Sequence, residues 1–164
     1  MSQLWDDWPR IVFNGQLYAV APRYIGGVGI KEAFDLATNH GCILPTVALV
    51  KAIYAAADCK LDARKFVRSH DGTYRTMASP AVLQAQDDKV ADAIEAWEAE
   101  HGRARLVAGT HKDVIYDTRA PTRGFALGLY GWQKADGSVI QPAFYGHAGA
   151  WKDYSQGCRL VKVL

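Results

Sequence analysis

The sequence predicts an α+β protein, with an N-terminal hairpin and three helices packed on a C-terminal antiparallel sheet, in a single domain over 1–164. Three observations carry this. A turn dipeptide separates two alternating apolar–polar stretches near the start, helical spacing follows, and from Leu106 onward β-branched and aromatic residues punctuated by glycine take over. With 164 residues, 49% of them apolar and 22% charged, the chain can bury a core without disulfide or metal staples. No stretch has the composition of a disordered tail.

"RIVFNGQLYAVAPRYIGG" alternates around Asn14-Gly15, a dipeptide that links antiparallel strands, so a hairpin opens the chain. In "IKEAFDLATNHG" the residues Ile30, Ala33, Phe34 and Ala37 share one helical face, and Gly41 supplies a left-handed stop. Thr46 caps the next helix in "LPTVALVKAIYAAADCKL", where Leu49, Val50, Ile53, Tyr54 and Ala57 fall at helical spacing; the two helices are expected to form a helical hairpin. After the polar loop "RSHDGTYRTM", Ser79-Pro80 is a cap followed by a first-turn proline, and the third helix runs to Gly102. Beyond it, "RLVAGTHKDVIYDT", "GFALGLYGWQKADGSVIQPAFYG" and "CRLVKVL" read as the strands of one sheet, with Asp136-Gly137 as a turn between two of them.

A formal charge of +2 with both signs interspersed gives no electrostatic pull on nucleic acid, so none is expected as a partner. Apolar runs such as "ILPTVALV" fall far short of the roughly 20 residues needed to cross a bilayer, so no membrane span is expected. "MSQLWDDWPR" lacks the basic-then-apolar pattern of a secretory signal, so synthesis into the cytoplasm is expected. Cys42, Cys59 and Cys158 are an odd number at wide spacing and read as reduced thiols.

Two stretches could carry chemistry. In "THKDVIYD", strand alternation puts His111 and Asp113 on one face and Lys112 on the other, a pair suited to general-base work. With His147 they would make a set of three ligands for zinc, the alternative being an exposed strand with solvated polar groups. "GHAGAWKDYSQGC" reads as a loop anchored by Trp151 and Tyr154. There Cys158 could be a nucleophile near Arg159, and Ser155 one if His147 or His111 served as its base; alternatively Cys158 is buried and Arg159 pairs with Asp153. Cys158 alternates with Leu160, which places both toward the core. Gly26, Gly27 and Gly29 match no phosphate-binding spacing and read as a turn, whereas Trp132 beside Tyr130 and Tyr145 could line a groove for a sugar or peptide.

The block "LYGWQKADGSVIQPAFYGHAGAWKDYSQGCRLV", with "GCILPT" and "THKDVIYD" upstream, resembles a family of largely uncharacterised bacterial and phage proteins over most of residues 35–164. That family implies no established activity. "YSQGCRLV" is similar to the SHGCxR signature of L,D-transpeptidases, a likeness implying an acyl-forming cysteine at Cys158 supported by an arginine. Gln156 stands where that signature has histidine, and one residue fewer separates Cys158 from Arg159. Together, the constellation His111, Asp113, His147, Asp153, Ser155, Cys158 and Arg159 and these likenesses lead to the expectation of a phage-encoded, cell-wall-directed enzyme acting on peptidoglycan amide bonds, released to the wall or carried in a virion. The alternatives are a non-enzymatic virion or tail-associated protein using its aromatic C-terminal sheet as an interface, and a cytosolic inhibitor or ligand-binding module working through the Trp132 groove.

Overall fold

A computed structural model describes residues 3–68, 74–118 and 126–164, together with the backbone but not the side chains of Tyr74 and Arg75. Residues 69–73 of the expected polar loop and residues 124–125 at the start of an expected strand lie outside the described residues. The architecture is α+β, with the N-terminal hairpin and the C-terminal sheet both present.

Strands β1 (Arg10–Phe13) and β2 (Gln16–Val20) pair antiparallel across Asn14 and Gly15, whose φ values of 50° and 76° are the successive left-handed pair of a tight hairpin turn. Strand β3 (Ile25–Gly26) follows. Helix α1 (Ile30–Asn39) buries Ile30, Ala33 and Ala37, but Phe34, expected on that face, stays 37% exposed against the Tyr116 ring. Gly41, at φ +62°, turns the chain out of the helix. In α2 (Val47–Ala56) the Thr46 hydroxyl accepts from the Leu49 amide at 3.2 Å, as its capping role requires.

Both helices pack mainly on sheets, α2 against β1 and both against β7 (Leu127–Gln133), so the expected helical hairpin is replaced by two separate dockings. The reason is composition: each short helix carries an apolar stripe, and the sheets offer the larger apolar faces. After β4 (Cys59–Lys60) and a single turn α3 (Tyr74–Met77), Ser79 caps α4 (Pro80–His101), which buries only Gln86, Val90 and Ile94, a narrow stripe at four-residue spacing.

The remaining strands are β5 (Val107–Ala108), β6 (Lys112–Tyr116), β8 (Val139–Phe144), β9 (Gln156–Cys158) and β10 (Val161–Val163). The five-stranded sheet has the order β3-β9-β6-β7-β8; its pairings are antiparallel except β6 with β9, which run parallel. Two expectations are corrected here. The sheet is mixed and not purely antiparallel, and the last strand leaves it: β10 pairs with β2, making a three-stranded sheet β1-β2-β10 that joins the two ends of the chain. Val161 thereby packs with Ile11, Val20, Leu49 and Ile53, while α1 closes over Val114, Leu129, Cys158 and Leu160.

Candidate functional site

Strand β6 divides the polar residues into two groups. On the face away from α1, His111 and Asp113 both meet Tyr24, which stands on the short segment leading into β3. The Tyr24 hydroxyl donates to Asp113 Oδ2 at 2.7 Å, and its ring lies 5.1 Å from the His111 ring. Gly157 makes the stack possible: a Cβ there would stand 3.1 Å from both the His111 and the Tyr24 side chains. Beneath lies Arg159, wholly buried, its guanidinium 3.8 Å from the Tyr24 ring centre and donating to the Ala21 and Val107 carbonyls at 2.7 and 2.6 Å. Arg159 therefore does not pair with Asp153.

Burial sets the charges of this group. It pushes Asp113 up to about 6, although Arg159 and the Tyr24 hydroxyl pull the other way. Burial, reinforced by the Arg159 charge, takes His111 down to about 4. The Tyr24 phenol is raised by burial well above its ordinary range. At neutral pH the group is thus a neutral imidazole, a carboxylate and a guanidinium.

His111 is also the member of the group that lines a pocket. Its Nδ1 lies 2.9 Å from Thr110 Oγ1, while Nε2 is buried and has no hydrogen-bond partner among the described residues. That nitrogen faces a pocket of about 250 Å³ bounded by Arg23, Tyr24, Gly26, Thr110 and, from α4, Asp87. A Cβ on Gly26 would stand 2.8 Å from Asp87 Oδ1 and 3.1 Å from His111 Nε2, so both groups converge on space that only a glycine leaves open. Burial raises the Asp87 carboxyl, and the neighbouring Asp88 adds to this.

The other face of β6 holds Lys112, which pairs with Asp153 at 3.2 Å. Asp153 Oδ1 accepts from the Ser155 hydroxyl and, at 2.7 Å, from the Ser155 amide. Burial pushes Asp153 up, but Lys112 and the Ser155 hydrogen bonds outweigh it and hold the carboxyl below its ordinary value. Ser155 is buried and bonded to a carboxylate, and among the described residues no histidine is its hydrogen-bond partner, so the histidine base expected for it is not in place. His147 lies on the rim, stacked on Trp151 at 4.1 Å and edge-on to Phe144 at 4.8 Å, its basicity lowered by burial and by Lys112.

Three arrangements that the sequence left open are not assembled among the described residues. His111 and Asp113 share a face, but His147 belongs to the opposite group, and among the described residues no three His, Cys, Asp or Glu side chains converge to hold a metal ion. Cys158 is wholly buried, its thiol directed at the Ala33 carbonyl and pushed by burial up to about 12, while Arg159 points the opposite way, so the thiol–arginine arrangement of a transpeptidase is not assembled. The Trp132 groove is closed: Trp132 and Tyr130 are 4% and 7% exposed and belong to the core.

Sequence reasoning missed Tyr24, Gly26, Asp87 and Thr110. Gly26 sat in a glycine cluster whose spacing read as a turn, and Asp87 is one of several acids along α4 with no distinguishing neighbour. No family model matches the chain, and no match was found among curated proteins or solved structures.

Proposed function

We propose that this chain is a hydrolase of peptidoglycan amide bonds in which His111 is the general base and water the nucleophile, with no acyl-enzyme on Cys158 or Ser155. The observation that supports this reading is the buried His111 ring with its unpartnered Nε2 at the wall of a small pocket opposite Asp87. With Nδ1–H donating to Thr110 Oγ1, the Nε2 lone pair faces the pocket and takes a proton from water as the oxygen attacks the amide carbon. The Asp87 carboxylate across the pocket stabilises the imidazolium that forms, and that proton then passes to the leaving amine. Arg23, which lines the pocket and pairs with Glu98 at 2.8 Å, is the cation available to the developing oxyanion.

The test is digestion of purified sacculi in ¹⁸O-water followed by mass spectrometry. One label should enter each new carboxyl, Cys158→Ser should remain active and His111→Gln should not. Absence of any released amine or carboxyl overturns the proposal.

A non-enzymatic virion role is the second reading, favoured by one observation. Strand β8 is an edge of the five-stranded sheet, and its Phe144 is 44% exposed beside His147 and Trp151. It predicts the chain in purified particles and indifference to His111→Gln.

A further inference from the structure

Beside the His111 pocket lies a wider cleft of about 1060 Å³, and Arg23 and Tyr24 line both. Its floor is apolar, with Trp8, Ala21, Pro22, Leu36 and Leu160 along it. Its rim is cationic. Arg23, Arg103 and Arg105 stand on it, with Asp7 as the one carboxylate in the lining. Arg23 is committed to Glu98, but the Arg105 guanidinium makes no hydrogen bond or ion pair among the described residues. An exposed guanidinium, unpaired among the described residues, over an apolar floor is complementary to a ligand carboxylate.

Between the two cavities runs β3, an edge strand whose only neighbour in the sheet among the described residues is β9. Strand geometry turns alternate N–H and C=O groups of an edge outward, and Ile25 is 41% exposed there. Gly26, without a side chain, lets a second backbone come close beside His111. Extended peptides add to such edges through main-chain hydrogen bonds.

We propose that this edge and the arginine cleft form one binding site for an extended peptide ending in a free carboxylate, with the carboxylate held by Arg103 and Arg105 and the main chain laid along β3. It rests on the hydrolase reading above and adds the substrate class and its direction. The carboxylate end of the peptide lies toward the arginine cleft and the bond cleaved toward Gly26 and His111.

The experiment titrates an N-acetylated peptidoglycan stem tetrapeptide, as free acid and as C-terminal amide, into the full chain carrying His111→Gln, which turns nothing over, and into the wild-type chain in the cold as the control for folding. Binding is read by calorimetry. The acid should bind about tenfold more tightly than the amide, and the double variant Arg103→Gln/Arg105→Gln should erase that difference while leaving the amide unchanged. Equal affinity of acid and amide, a double variant that still prefers the acid, or no binding of either peptide to either chain overturns the proposal. Preferential binding of the acid without cleavage of sacculi would sink the hydrolase reading alone, whereas cleavage unaffected by the double variant would sink this one alone.

Discussion

Replacing Asp113 by asparagine, or His111 by glutamine, should expose two pH dependences of stability that nearly cancel in the wild-type chain. His111 falls from an ordinary 6.5 to about 4 on folding. Between those values the unfolded chain holds a proton that the folded chain refuses, so this group's contribution is intact above 6.5 and is lost as the pH falls toward 4. At about 1.4 kcal/mol for each tenfold change in proton affinity, the loss is about 3 kcal/mol. Asp113 rises from 3.8 to about 6, so here the folded chain keeps the proton, and the contribution is intact below 3.8 and lost as the pH rises through 6. That too is about 3 kcal/mol, of opposite slope. Both groups are buried, so salt does little to screen either.

The wild-type chain should therefore show little net contribution from this pair between pH 4 and 6. Asp113→Asn should leave the His111 slope, gaining about 3 kcal/mol between pH 4 and 6.5, and His111→Gln should leave the Asp113 slope, losing about 3 kcal/mol between pH 4 and 6. The assay is urea unfolding followed by tryptophan fluorescence across this range. Surface carboxylates titrate in all three proteins and drop out of the differences. Variant curves parallel to wild type would refute the reasoning, because they would mean that neither group is desolvated as its position implies.

Gly26→Ala should abolish hydrolysis with a melting temperature close to wild type, since the new methyl fills the space between His111 and Asp87 and the first atom displaced is the tip of an exposed side chain; calorimetry and the sacculus assay check the two halves. Cys158 should resist a thiol reagent in the native state and react on addition of urea, and Cys158→Ser should cost about 1–3 kcal/mol by burying a hydroxyl in an apolar site. Lys112→Met should cost about 3–5 kcal/mol in urea by leaving Asp153 charged and buried without its cation, and that loss should shrink as the pH is lowered and Asp153 takes a proton. Thr46→Ala should cost about 1 kcal/mol, read the same way, through loss of the bond to the Leu49 amide.

What the sequence determined by itself is the part that local chemistry governs. Asn14-Gly15 and Asp136-Gly137 make the turns they signal, and Thr46 and Ser79 cap the helices they precede, because each acts on backbone within a few residues of itself. Strand alternation likewise put His111 with Asp113 and Cys158 with Leu160, a relation that needs no partner strand.

Pairing decided the rest. The same period that faces Cys158 into the core sends Arg159 to the other side, but whether Arg159 meets Asp153 or Tyr24 depends on which strand lies beside β9, and β3 arrives there from the far end of the chain. Tyr24 and Asp113 are 89 positions apart, and Arg159 and Ala21 are 138 apart. Nothing within a few residues of any of them records the contact. Asp87 is the plainest case: one of a row of acids on an exposed helix, it acquires a role only because α4 sets it across from Gly26 and the open nitrogen of His111. A side chain's facing direction is written in the residues around it, whereas its partner is chosen by the packing of elements that the sequence keeps far apart.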